Sequence, residues 1–350
     1  VRRAVAFAVP GSLDTPTGGY AYDRHIVGEL RALGWDVDVI DLGADFPKPS
    51  SSSRRRAGDV LAALEAKNPI VVDGLAFGVM DDAAAKLGAS RKLVALVHHP
   101  LAYESGISKE DAERFLSSER KALSHVRHVV VTSPATRRLL EAEYGVPAGS
   151  IAVVRPGNEH IEIPLRADDG IVSLLAVGSL VPRKGHDILV AALSMLKDLP
   201  WRLAIAGDAT RDPAAVTQLA SDIAALGLKD RVSLLGAVPD EQLTSLYAEA
   251  DAFVLASRFE GYGMAYAEAI AHGLPVIATR TGAVPETVPP DAALFVGPDD
   301  VDGLAEALRR LIRDSDLRQR LSEGARHAAA SLPTWKQSGE LFSKVLESLL

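Results

Sequence analysis

Twelve runs of four to seven residues, each predominantly apolar, recur along this chain at intervals filled by helical patterns. In the first half they are Val5–Val9, Val37–Leu42, Ile70–Asp73, Val94–Val97, Val129–Thr132 and Ile151–Val154. Helical patterns lie over Tyr20–Leu33, Val60–Ala66 and Pro134–Tyr144, the first and last closed by Gly34 and Gly145. Continuous apolar character, as opposed to strict alternation, marks strands covered on both faces, and strands spaced by helices imply a parallel sheet. The pattern then restarts with Ile171–Val177, Trp201–Ala206, Val232–Leu235, Ala252–Ala256, Pro275–Thr279 and Ala293–Val296. Helical segments at Asp187–Leu196, Ala214–Leu226, Glu241–Ala250 and Val301–Arg313 punctuate this second series.

The expected fold is therefore α/β, with two doubly wound, Rossmann-like domains facing a central cleft. A length of 350 residues suits two such domains. Residues 1–165 form the first and 166–333 the second, joined near Pro156–Asp169. Residues 334–350 make a terminal helix packing back on the first domain, with Leu341, Phe342, Val345, Leu346 and Leu349 at helical spacing. The stretch Lys48–Arg56, with four serines and three arginines in a row, reads as a mobile surface loop.

Charge and composition exclude several functions. No cysteine is present, which removes disulfides, thiolate metal sites and cysteine nucleophiles. Residues 1–166 hold 21 basic and 21 acidic side chains, leaving 17 and 25 of the chain's 38 and 46 for the remainder. An acidic second half argues against nucleic acid as a partner. Clusters at Arg54-Arg55-Arg56 and from Arg114 to Arg127 read mainly as solvated faces, contact with an anionic membrane being the lesser alternative. No apolar run reaches membrane-spanning length, and Val1–Pro10 reads as a buried first strand, not a signal peptide, so a cytoplasmic setting is expected.

Candidate chemistry lies where strands end, because open α/β sheets bind ligands there. Phe259-Glu260-Gly261-Tyr262-Gly263-Met264 follows the run Ala252–Ala256 and leads into a helix carrying Glu268. Free N–H groups at a helix start suit an anion, and carboxylates accept bonds from hydroxyls, so a ligand with phosphate and sugar fits. The structural alternative for Glu268 is helix capping. Gly178–Gly185 follows Ile171–Val177 and would carry Arg183 and Lys184 into the cleft, where cations stabilise a leaving diphosphate; a loop of solvated charges is the alternative. Thr17-Gly18-Gly19-Tyr20 lets backbone approach a phosphate, or is simply a tight turn. His98-His99-Pro100 follows Val94–Val97; neighbouring rings point apart and no third ligand is evident, so a polar group facing the cleft is preferred, with a structural hydrogen-bonding histidine next and a metal site last.

Together these residues resemble the retaining nucleotide-sugar glycosyltransferases of the family 4 type, with the GT-B fold. The resemblance spans essentially the whole chain. Its most specific part runs from Glu260 to Glu268, then through Gly273–Ala278 and Gly282–Glu286; Gly178–Gly185, Pro156-Gly157-Asn158 and Trp335 add to it. It implies that Glu268 binds the ribose, that Glu260 contacts the transferred sugar with Gly261, Tyr262, Gly263 and Met264 around it, and that Arg183 and Lys184 neutralise the diphosphate. Gly18 and Gly19 would lie near the phosphates, and His98 would contact the sugar, with His99 a one-residue alternative. The implied reaction moves a hexose-type sugar from a nucleoside diphosphate sugar to an unidentified acceptor hydroxyl, with retention, and without metal or other cofactor. One position departs from the family pattern: Ser179 stands where many members carry arginine, and Arg183 is the expected substitute. A nucleotide-sugar epimerase or hydrolase on this fold, and a silent sugar-nucleotide binding protein, are the competing readings.

Overall fold

A computed structural model describes residues 3–159 and 170–350, which divide into two compact units. The first comprises residues 1–15, 19–157 and 333–350, the second residues 16–18 and 158–332. The expected boundary at 165/166 and most of the expected linker lie outside the described residues.

The first unit is built on a six-stranded sheet of β1 (Ala4–Val9), β2 (Asp36–Asp41), β3 (Pro69–Asp73), β4 (Lys92–Val97), β5 (His128–Val131) and β6 (Ile151–Val153). Its order is β2-β1-β3-β4-β5-β6 and every pairing is parallel. The second holds β7 (Val172–Val177), β8 (Trp201–Ala206), β9 (Val232–Gly236), β10 (Ala252–Leu255), β11 (Val276–Thr279) and β12 (Ala293–Val296). Here the order is β12-β11-β10-β7-β8-β9, again all parallel. Each expected strand has its counterpart. Burial explains why the interior ones read as continuous runs: β3, β10 and β11 are buried at every position, whereas edge strand β2 is largely accessible.

Strand order also sets where ligands can sit. In the first sheet the order reverses between β1 and β3, in the second between β7 and β10. At such a switch point consecutive connections leave for opposite faces and open a crevice at the strands' carboxyl ends.

Among the described residues, three helices of eight residues or more escaped the sequence reading: Asp81–Gly88, Lys109–Leu123 and Ser315–Ala329. Lys109–Leu123 buries only four residues, so charge hides its stripe, although Ser108 accepts a bond from the Asp111 N–H as an N-cap should. The expected loop at Lys48–Arg56 is corrected too. Ser50 caps a helix over Ser51–Ala63 by accepting from the Ser53 N–H, and Ala57 and Leu61, four apart, turn inward while Arg55 and Arg56 are exposed. No helix among the described residues is long and apolar enough to cross a membrane.

The final helix, Trp335–Glu347, belongs to the first unit. Thr334 and Gln337 close its start as a reciprocal capping box. Phe342 and Leu346 are fully buried, and the Phe342 ring lies 6.2 Å from that of Phe7 in β1. Trp35 Nε1 donates to Ser343 Oγ at 2.9 Å. Leu341 is a correction to the expected stripe: it remains 46% exposed, because the inward face runs through Ser338, Phe342, Ser343 and Leu346 instead. Phe342→Ala should cost about 3–5 kcal/mol of stability by leaving a cavity against β1. Urea denaturation followed by far-ultraviolet circular dichroism checks this, and an unchanged midpoint would show that the helix contributes nothing to the first unit.

Candidate functional site

At the switch point of the second sheet, the loops leaving β7 and β10 meet. The β7 loop delivers Arg183 and Lys184 in a short 3₁₀ turn, Pro182–Lys184, and the β10 loop delivers Ser257 and Glu260. Lys184 Nζ donates to Glu260 Oε1 at 2.7 Å, and Ser257 Oγ donates to the same oxygen at 2.7 Å. Arg183 Nη1 donates to the Phe259 carbonyl at 3.0 Å and lies 3.5 Å from Glu260 Oε2. All three charged side chains are nearly shut from water, at 13%, 15% and 7% exposure. Burial alone would push the Glu260 carboxyl up. Lys184 and then Arg183 outweigh it and hold it down at about 2.

Backbone fixes this meeting. Gly185 adopts a left-handed φ of 65°, and a Cβ there would fall 1.9 Å from the Ala256 carbonyl oxygen. Gly282 has φ 49°, and its Cβ would fall 2.2 Å from the Glu260 carbonyl oxygen, which accepts from the Ala283 N–H at 2.9 Å. Only glycine allows such approaches. Arg258 adds a clamp: its N–H donates to the Arg183 carbonyl at 2.8 Å, while its guanidinium reaches Asp187 and Asp299, each at 2.8 Å. Ser179, the departure noted above, lies in the same loop, and Arg183 shares the Glu260 carboxylate with Lys184.

Beyond Glu260 the chain passes Gly261, Tyr262 and Gly263 and enters the helix Met264–Ala271. The Tyr262 carbonyl accepts from Thr287 Oγ1 at 2.6 Å, tying this loop to the segment after β11. Glu268 lies one turn into the helix with its own partners. Its Oε2 accepts from Tyr247 OH at 2.8 Å, and Tyr247 stacks on His272 with centroids 4.7 Å apart. Burial raises the Glu268 carboxyl above its ordinary range, against the bond from Tyr247; the Lys184 charge also acts to lower it, so Lys184 is felt at both acids.

The first unit holds a second charged cluster at its own switch point. His98, after β4, places Nε2 3.1 Å from Asp23 Oδ1 and 3.3 Å from Asp73 Oδ2. Asp73 ends β3 and Asp23 comes from the helix Gly18–Ala32, whose second residue, Gly19, lies against the His98 ring. Gly18 opens that helix. His99 turns elsewhere, its Nε2 3.3 Å from Glu104 Oε2. The expected absence of a third ligand near the histidines is a point the fold revises: Asp23, Asp73 and His98 each offer one ligand atom, all within 4.8 Å of one another. Burial acts to lower His98, but the two carboxylates outweigh it and keep the imidazole charged well above its usual range. As it stands the set holds a proton between two carboxylates, and a metal ion would have to displace that proton to bind. Burial raises Asp23, whose Oδ2 is buried without a hydrogen-bond partner.

Asp73 was legible as a carboxylate ending an apolar run. Asp23 and Tyr247 carried no local signal, since each reaches its partner only through tertiary packing; Ser257, three residues before Glu260 and directly after the run Ala252–Ala256, stood where candidates were sought and was overlooked.

The cluster fixes the sign of a pH dependence. Folded chain holds a proton on His98 that unfolded chain gives up, so this stabilisation is full below the ordinary histidine value of about 6.5 and declines as pH rises through the raised folded value. Between about pH 7 and pH 10 the thermal midpoint of the native protein should fall further than that of His98→Gln. Parallel curves from differential scanning calorimetry would contradict this.

Comparison with known proteins bears on what these groups serve. Residues 159–328 match the family described as "Glycosyl transferases group 1", and residues 21–159 match "Glycosyltransferase Family 4". The MMP alpha-(1->4)-mannosyltransferase of Mycolicibacterium hassiacum is 29% identical over 310 residues, covering 84% of this chain and 73% of that protein. A GDP-mannose-dependent monoacylated alpha-(1-6)-phosphatidylinositol monomannoside mannosyltransferase of Corynebacterium glutamicum is 27% identical, covering 94% and 86%. Among solved structures, the sucrose-phosphate synthase of Thermosynechococcus elongatus superposes with a TM-score of 0.85 at 22% identity, over 99% of both chains.

Proposed function

Since the chain belongs to the nucleotide-sugar glycosyltransferases of the family 4 type, with the GT-B fold, we propose that it moves a hexose from a nucleoside diphosphate sugar to an acceptor hydroxyl with retention at the anomeric carbon. The observation that carries this reading is the buried Lys184–Glu260 contact at the carboxyl edge of β7 and β10. Two cations held by one carboxylate leave a net positive centre beside a helix N-terminus, a setting matched to a diphosphate.

As the bond from the anomeric carbon to the diphosphate breaks, negative charge grows on the leaving phosphate. Lys184 and Arg183 meet it without reorganising, because Glu260 and the Phe259 carbonyl already hold them in place. Arg183 thereby supplies charge that Ser179 does not. N–H groups around Gly261, Tyr262, Gly263 and Met264 approach the phosphates and sugar, and Glu260 accepts hydrogen bonds from sugar hydroxyls. Tyr247 occupies one Glu268 oxygen, and the other is assigned to the ribose. Gly18 and Gly19 open a helix suited to an anionic group, and the His98 imidazolium is a donor suited to a hydroxyl. The departing phosphate takes the acceptor's proton, so no metal or cofactor is required. The mannosyl activities named for the relatives make GDP-mannose the first donor to try.

Incubation of GDP-mannose, UDP-glucose or ADP-glucose with a panel of hydroxyl-bearing acceptors, followed by mass analysis and proton NMR of the anomeric linkage, tests the reaction; an inverted linkage, or free monosaccharide as sole product across the panel, would overturn it. With the donor turned over, Lys184→Ala and Glu268→Ala should each lower kcat/KM at least about 100-fold, a loss of about 2.7 kcal/mol. Full activity in both, with unchanged circular dichroism, would remove these residues from the site.

A further inference from the structure

The basic clusters of the first half find no use in the reaction above, yet the fold gathers them. A cavity of about 500 Å³ opens between the helices Ser51–Ala63 and Lys109–Leu123 and the segment before the first of them. Arg54 enters from one helix and Lys48 from the preceding segment. Arg114, Ser118 and Lys121 come from the other at i, i+4 and i+7, one face of a helix. Against these four cations the lining holds a single carboxylate, Asp81.

Two observations separate this place from an ordinary solvated face. First, Asp111 beside it bonds both Lys48 (3.3 Å) and Arg114 (2.8 Å), fixing two cations that would otherwise repel one another and scatter. Second, Arg54 Nε and Ser118 Oγ are shut from water without a hydrogen-bond partner. A buried donor left unmade costs about 1–3 kcal/mol, and an acceptor oxygen held in the cavity would suit both the Arg54 N–H and the Ser118 hydroxyl. Charge and donor pattern together describe a tetrahedral oxyanion, which presents several acceptor oxygens and carries the compensating charge. A cavity of this size admits a phosphate with a small organic body, and the chain's net charge of −8 disfavours a nucleic-acid strand.

We infer that the cavity lined by Lys48, Arg54, Arg114, Ser118 and Lys121 is a binding site for a phosphomonoester, separate from the groups assigned to the donor. It does not rest on the proposed reaction. The phosphate belongs either to a soluble compound or to a lipid headgroup at a membrane surface, and the two sources are separable.

The test uses the full chain carrying Lys184→Ala, so that anion binding near β7 does not intrude. Glycerol 3-phosphate is titrated calorimetrically, and flotation is measured with phosphatidylcholine vesicles with and without phosphatidic acid. Arg54→Gln combined with Arg114→Gln should weaken whichever association is seen at least tenfold. Ser118→Ala, a change too small to unfold the helix, should weaken it severalfold. Binding of glycerol 3-phosphate identifies a soluble ligand; flotation with phosphatidic acid alone identifies the headgroup. Absence of both, or association unchanged in the double variant and in Ser118→Ala, overturns the site.

Discussion

A buried ammonium–carboxylate contact of 2.7 Å, Lys184 to Glu260, sets the terms for the structure around it. Removing both charges from water costs several kcal/mol per ion, and the pair persists only where geometry is tight and the remaining lone pairs are filled. Each demand is met by a named neighbour. Ser257 takes part of the carboxylate, Arg183 approaches the other oxygen, and the left-handed Gly185 and Gly282 let backbone come close enough to hold the two loops in register. The Arg258 clamp ties the loops again through Asp187 and Asp299. Such an arrangement is costly for stability alone, since apolar residues of like volume would often do as well. Its retention is intelligible if an anionic ligand completes it.

The first unit solves a related problem with opposite sign. There one imidazole stands between two buried carboxylates, and proton affinity is raised, not lowered. Both clusters lie where the strand order of their own sheet reverses, because loops from strands neighbouring in space but distant in sequence converge only there. Placement of charge thus follows from topology in each unit by itself.

What the sequence made legible divides along physical lines. Strands such as β3, β10 and β11 were plain because both faces are buried and no polar residue interrupts them. Arg183, Lys184, Glu260 and His98 were plain because each follows such a strand within a few residues. Partners contributed by packing were not: Tyr247 reaches Glu268 across 21 positions and Asp23 reaches His98 across 75. Lys109–Leu123 and Ser51–Ala63 were obscured because few of their residues face inward, although Ser108 and Ser50 stood ready as caps. Leu341 was misplaced for the converse reason, an apolar residue left on the outer face of its helix.

In the proposed reaction Lys184 meets the phosphate nearest the departing sugar. Calorimetric affinities for GDP and GMP, with UDP and UMP beside them, measure this directly through the advantage of diphosphate over monophosphate. A clear advantage is expected in the native protein and its collapse in Lys184→Ala, while monophosphate affinity changes little. An equal advantage in both proteins would contradict it.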